Sequence, residues 1–276
     1  MFYNKKIFLF FILTIYSCII LAQKDTVLKY EQAVEFDKKY LTSYFTDTKN
    51  VIISPLHWNK KQWITFTTIA GTNVFIYSQD DKIQDFFQNN KTESLDNISK
   101  YAFKHWGDGT YSMSTMGLLY IYGMLSKNNQ HKEAALLGTK AFITSVVFTY
   151  FIKYSFHRHR PDDDKFSNPY IWEGPCLKSS YTSFISGHSS SIFSVASVIA
   201  SEYKDKKAIP VIAYSIAGLT AISRIYDNKH WATDVIAGAA LGYAIGKLIY
   251  NNRIQIYPYS SFNSNGISMR IFIDKK

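Results

Sequence analysis

Eight residues able to do chemistry stand in three short stretches of otherwise apolar sequence. Lys153 and Arg160 belong to KYSFHRHRP, Ser186, Gly187 and His188 to ISGH, and Arg224, His230 and Asp234 to SRIYDNKHWATD. The last stretch lies between AIPVIAYSIAGLTAI and VIAGAALGYAIGKLIY, segments that would bury completely, so charge placed there needs a reason. Lys153, Arg160 and Arg224 supply three fixed cations, and the two guanidinium forks match a tetrahedral oxyanion. Ser186 and Gly187, at a helix start, would add a hydroxyl and backbone N–H groups aimed at the same anion. Cleaving a phosphate ester also needs a nucleophile and a proton donor for the leaving alkoxide. His230 and Asp234 are four apart and on a helix would share a face, the carboxylate accepting from one ring nitrogen while the other faces phosphorus. His230 is then the nucleophile and His188 the general acid.

Taken singly these signals are weak. A lysine at a helix end usually snorkels, His-x3-Asp is commonly a surface pair, and Ser-Gly-His alone is a helix start. Together, Lys153-x6-Arg160-Pro161, Ser186-Gly187-His188 and Ser223-Arg224-x5-His230-x3-Asp234 resemble the three-part signature of one superfamily. It holds the type 2 phosphatidic acid phosphatases, the bacterial class A acid phosphatases and the vanadium haloperoxidases, and the resemblance covers residues 153–234. It implies phosphate binding by Lys153, Arg160 and Arg224 with help from Ser186 and Gly187. It further implies proton donation by His188, and a phosphohistidine at His230 oriented by Asp234, with no metal or other cofactor in the phosphatase members. A haloperoxidase would hold vanadate in the same cradle, and a non-catalytic membrane protein could line a path with such charges. Ile185 stands where the superfamily usually has proline, which should change loop stiffness and leave the chemistry intact. His157 and His159 are additional to the pattern and read as solvated or substrate-rim groups.

To bring three stretches together the chain offers six apolar segments, near 62–77, 111–125, 134–152, 184–200, 209–223 and 231–249, each long enough for a helix. The expected fold is all-α, a helical bundle of the type 2 phosphatidic acid phosphatase kind. Gly238, Gly242 and Gly246 line one face of the last segment and should let a neighbouring helix approach closely. Between the first two segments, a polar stretch ending at Gly107-Asp108-Gly109 should form short amphipathic helices with a solvated charged face. Alternation in RIQIYPY and ISMRIFI, with Asn265-Gly266 as a turn signal, predicts a small β-hairpin over 251–276.

The 276 residues carry a net charge of +10, but the lysines are scattered through loops without a recognition motif. A membrane surface or a phosphate-bearing lipid suits that charge better than nucleic acid. Residues 1–22 have the layout of a signal peptide ending at Ala22, with an uncleaved anchor helix as the alternative; either places the chain in the cell envelope, and cleavage removes Cys18 and leaves Cys176 without a partner. Residues 23–61 then read as an exported lead-in and 62–250 as the phosphatase domain. Lysines in SKNNQHKE, in EYKDKKA and at Lys247 lie opposite the three motifs, so the positive-inside rule points the site to the periplasm. That orientation leaves five spans once the threonine-rich segment 62–77 is set against the bundle. A soluble periplasmic acid phosphatase of broad specificity is the alternative. Neither oligomeric state nor head group is legible.

Overall fold

The computed structural model describes residues 34–163, 167–176 and 182–252, with the backbone of 257–261 and 264–268. The expected signal peptide lies outside the described residues, as does most of the expected C-terminal hairpin. Ten α-helices follow in order among the described residues: α1 (Lys38–Ile53), α2 (Lys60–Tyr77), α3 (Asp80–Asn89), α4 (Glu93–Asn97), α5 (Lys104–Gly107), α6 (Thr110–Leu125), α7 (Asn129–Phe156), α8 (Gly187–Glu202), α9 (Ala208–Tyr226) and α10 (Ala232–Asn251). All six apolar segments are helices, α2 and α6 to α10, with ends within a few residues of those expected.

Polar side chains start these helices by satisfying first-turn N–H groups. Asp37 accepts from the Tyr40 amide at 2.7 Å ahead of α1. Asn59 and Gln62 cap one another reciprocally at 2.9 Å ahead of α2. Before α6, Gly109 sits at φ 100°, where a side chain would be strained and would strike the Phe142 ring at 2.7 Å.

The bundle is organised around α8, which packs against α7, α9 and α10 and is buried along nearly its whole length. Serine lets these helices approach one another. Ser194, Ser197 and Ser201 turn their hydroxyls back onto α8 carbonyls at 2.6–2.7 Å, so polar side chains stay paired in a dry interface. Opposite them, Gly238, Gly242 and Gly246 of α10 lie directly on the carbonyl oxygens of Ser186, Ser190 and Ser194. The glycine seam thus works as its spacing implies, and its partner is a serine-rich helix.

Successive helices α7 to α10 alternate in direction, so α7 and α9 end where α8 and α10 begin. At the opposite end, α1 docks on α7: the Tyr40 hydroxyl donates to the Leu136 carbonyl at 2.9 Å, and buried Lys140 donates to Asp47 at 2.9 Å. Val51 joins Leu137, Ile245 and Ile249 in the apolar cluster there. From that end α2 runs along α10 to the other, against the bundle as its composition suggested. Three helices among the described residues, α7, α9 and α10, are long and apolar enough to cross a membrane; α2 is not one of them. Exposed apolar side chains such as Leu118, Val147, Phe151 and Ile212 clothe the outside of the bundle.

One expectation about the polar stretch needs correcting. Its charges were expected on a solvated face, but Asp80, the first residue of α3, is fully buried. Ion pairing holds it there, as the site shows.

Candidate active site

Four helix ends deliver the predicted residues to one place. Lys153 is in the last turn of α7, buried, and its ammonium donates to the Thr182 carbonyl and, at 3.3 Å, to that of Ser183. Helix α7 stops at His157, whose left-handed φ of 43° turns the chain into the following loop. Arg160, half-buried on that loop, reaches the Thr182 carbonyl and hydroxyl, each at 3.4 Å. The segment 182–183 therefore anchors both cations from below.

Ser186 caps α8: its hydroxyl oxygen accepts from the Ser189 amide at 3.4 Å and the Ser189 hydroxyl at 3.0 Å. Its own N–H donates to the Asp234 carbonyl at 2.9 Å, so the backbone donor expected from Ser186 is already engaged. The amides of Gly187 and His188, in the first turn, have no intrahelical acceptor. Gly187 faces Thr149 and Lys153: a Cβ there would lie 3.5 Å from Thr149 Cγ2 and 3.9 Å from Lys153 Cε. His188 lies on Gly107, where an added Cβ would come within 2.5 Å of the His188 Cβ and 2.8 Å of its ring Cδ2. A glycine in the polar stretch is thus needed for the histidine to sit at the cradle.

Between α9 and α10, Asn228 takes a left-handed φ of 61° and folds the chain back, so that the Arg224 carbonyl accepts from the amides of Lys229 at 3.0 Å and His230 at 3.3 Å. His230 was expected on a helix face with Asp234. It lies instead in the turn ahead of α10, and the two meet because Asp234 reaches back across the helix start, accepting from the Trp231 N–H at 3.0 Å. His230 Nδ1 is 3.7 Å from Asp234 Oδ2, just beyond hydrogen-bond range. Burial holds the His230 imidazole well below its ordinary range; Lys153 and Arg160 push it the same way, and Asp234 opposes them. It is therefore neutral at neutral pH, as a nitrogen nucleophile must be.

Asp234 is fully buried and shares itself among several donors. Oδ1 accepts from Arg158 at 2.6 Å and Oδ2 from Ser183 at 2.5 Å. Arg158, also fully buried, donates to Asp80 at 2.7 Å, to the Thr233 hydroxyl at 2.7 Å and to the Pro169 carbonyl at 3.0 Å. Its guanidinium stacks among Tyr77, Trp172 and Trp231. Asp80 in turn accepts from the Thr233 amide at 3.0 Å. None of Asp80, Arg158 and Ser183 was among the predicted site residues. The alternation of basic residues in HRHRP was the one available sign of Arg158, and nothing local marked Asp80.

His157 and His159, expected in solvent or at a substrate rim, are buried. His159 pairs with Glu173 at 3.0 Å and Asp163 at 3.3 Å, and its carbonyl accepts from the Trp231 indole at 2.8 Å. Backbone bonds from Glu173 to His157 and from His159 to Ile171 close the loop over both rings. They brace the loop carrying Arg158 and Arg160.

At the centre, Arg224 is tied to Asp227 at 2.7 Å through one nitrogen, while its buried Nε has no partner. His188 Nε2 and His230 Nδ1 are likewise buried without partners. Three cations and two histidines converge on a space with polar atoms still to satisfy, which suits an anion of tetrahedral shape.

Residues 134–256 match the family model described as the PAP2 superfamily. Lipid A 1-phosphatase of Porphyromonas gingivalis is 37% identical over 99 residues, 36% of this chain and 19% of that protein. Lipid A 4'-phosphatase of the same organism is 25% identical over 148 residues, 52% of this chain and 61% of that protein. The chain therefore spans less than two thirds of either relative. A solved transmembrane PAP2-type phosphatidylglycerolphosphate phosphatase from Bacillus subtilis is similar at TM-score 0.48 and 22% identity, over 78% of this chain and 96% of that one.

Proposed function

We propose, on the premise that residues 134–256 belong to the PAP2 superfamily, that the protein hydrolyses a phosphomonoester or pyrophosphate of a membrane lipid through a covalent phosphohistidine. The observation that carries this reading is the meeting of Lys153, Arg160 and Arg224 with His188 and His230 at one end of the bundle, with the buried Arg224 Nε and His188 Nε2 unpartnered. Lys153, Arg160 and Arg224 hold the phosphate oxygens, with the Gly187 and His188 amides and the Ser186 cap behind them. His230 attacks phosphorus through Nε2 while Nδ1 keeps its proton and directs it at Asp234 as a hydrogen-bond donor. The bond to the leaving oxygen breaks as His188 protonates it, and water then releases phosphate from His230. Relatives named as lipid A phosphatases support a phosphorylated lipid as the substrate class.

The site reads as facing the periplasm from a membrane-embedded bundle, since Lys127, Lys132, Lys204, Lys206, Lys207 and Lys247 all belong to the opposite end. We keep residues 23–61 as the lead-in, 62–250 as the phosphatase domain and 251–276 as a hairpin tail. One observation favours the soluble periplasmic alternative. Helix α1 docks at the lysine-bearing end through Ser43, Asp47 and Lys140, so a lead-in exported behind a cleaved signal peptide would put that end outside as well. A carbonate wash of membranes separates the two, since a soluble bundle leaves the pellet.

Phosphate release from a panel of lipid phosphates and from p-nitrophenyl phosphate tests the activity. His230→Ala should fold and lose turnover, while the parent after rapid quench carries acid-labile, base-stable phosphate on His230. An alanine variant with near-normal activity would refute the covalent mechanism.

A further inference from the structure

Two buried groups given no role in the scheme above lie in line with its carboxylate. Asp234 has two oxygens and more donors than a single histidine: Oδ1 is held by Arg158, while Oδ2 takes Ser183 and the Trp231 amide and faces His230. Alone, Arg158 would neutralise Asp234 and leave no net charge beside His230. Asp80, from a helix outside the family-matched segment, sits on the other arm of the same guanidinium at 2.7 Å. Thr233 joins the three, accepting from Arg158 and donating to Asp80. The buried set then carries one net negative charge, and the forked arginine fixes which oxygen of Asp234 remains for the histidine.

We propose that Asp80 and Arg158 are positioning residues of the hydrolysis: Arg158 orients Asp234, and Asp80 restores the negative charge that Arg158 would otherwise cancel. The ring of His230 becomes cationic when Nε2 is bonded to phosphorus and Nδ1 keeps its proton, so the net charge behind Asp234 acts on that step. It does not touch substrate, and the proposal rests on the phosphohistidine reading. Lys153 from α7 and Arg160 from the loop beyond it also act on the His230 ring, Arg224 of α9 accepts from its amide through the carbonyl, and His188 from α8 shares Lys153 and Arg224 as neighbours; Asp80 is hydrogen-bonded instead to Arg158 and Thr233.

The test compares Asp80→Asn, Asp80→Glu, Arg158→Lys and Thr233→Val on p-nitrophenyl phosphate and one lipid phosphate. Asp80→Asn keeps shape and removes charge. It should lower kcat about 10- to 100-fold, by analogy with the carboxylates that orient a metal-bound histidine from one contact away, with KM within about threefold. It should also move the acidic limb of kcat/KM to lower pH, because a less negative surround disfavours protonated His230. Asp80→Glu should recover most of the loss. Thr233→Val, which keeps every charge, should lower Tm without moving the acidic limb. Arg158→Lys holds the charge and cannot bridge both carboxylates; it should lose kcat as Asp80→Asn does, and it carries the test if the asparagine variant fails to fold. Parent-like kcat in whichever of these two folds would overturn the proposal, as would equal losses in Asp80→Asn and Thr233→Val with an unmoved limb. Failure of the phosphohistidine reading is visible separately, in a parent that neither releases phosphate nor depends on His230.

Discussion

Gly238→Ala ties packing to chemistry. A methyl at position 238 would lie 2.5 Å from the Ser186 carbonyl oxygen and 3.3 Å from that residue's carbonyl carbon and nitrogen. Ordinary contact begins at 3.4 Å, so the oxygen must retreat by roughly 0.9 Å. Backbone is what must give, and the backbone concerned is the cap of α8, where the Ser186 N–H donates to the Asp234 carbonyl at 2.9 Å and His188 follows two residues further on. Overpacking of this kind costs about 1–3 kcal/mol, against which alanine in place of glycine returns about 1 kcal/mol of helix propensity. The net loss of stability should be at most about 2 kcal/mol. Catalysis should suffer more: a shift near 1 Å between reacting groups costs about 100-fold. Gly117→Ala is the control, because nothing lies within 4 Å of a Cβ there, and it should raise Tm slightly with unchanged activity. Thermal unfolding and phosphate release on the three proteins decide the matter. Activity of Gly238→Ala within twofold of the parent would refute the claim that the close approach of α8 and α10 sets the site.

Arg160→Lys and Arg224→Lys should each lower kcat/KM at least about tenfold although charge is kept, because the planar fork is lost, and vanadate should inhibit the parent competitively. Unchanged kinetics in both would make these arginines structural. His188→Ala should slow hydrolysis of alkyl phosphates more than of p-nitrophenyl phosphate, since a poor leaving group needs the proton most; equal losses would assign His188 to binding. Burial keeps folded His230 neutral at pH values where the unfolded chain, with its ordinary histidine pKa of about 6.5, takes up a proton. The unfolded state then binds more protons below about pH 6.5, so stability falls as pH drops through that value. The Tm of His230→Ala should accordingly fall less than that of the parent between about pH 7 and pH 5, and parallel curves would show that His230 takes no part.

The residues proposed to react were legible because chemistry restricts their types and apolar flanks made them conspicuous: a charge between two segments that bury needs a partner or a task. Gly238, Gly242 and Gly246 were legible for a related reason, as their spacing of four repeats along one helix face. What stayed hidden depends on contacts across the chain. Arg158 and Asp80 are 78 residues apart, and Arg158 and Asp234 are 76 apart. No window of sequence holds either pair. His157 and His159 sit in a charged, proline-bounded loop of the kind that normally faces water. They are buried because Trp172 pairs back onto Arg158 and Tyr77 and Trp172 cover its guanidinium. His230 and Asp234 were paired for the wrong geometric reason, since the four-residue spacing works here across a helix start and not along a helix face. The two still come together, because an acidic residue in the first turn can reach back to the turn before it as readily as forward along the helix.

Asp80 also shows why the bundle needs its first helix. The segment that matches the family begins at residue 134, yet the carboxylate completing the buried charge set arrives at the start of α3, just past α2, which packs alongside α10. An unpaired buried arginine costs far more than a paired one. With α2 displaced, Arg158 would keep Asp234 as its one carboxylate, drawing that carboxylate toward itself and away from His230. On the positioning proposal, Asp80 acts on the reaction at a distance, through charge, from outside the family-matched segment.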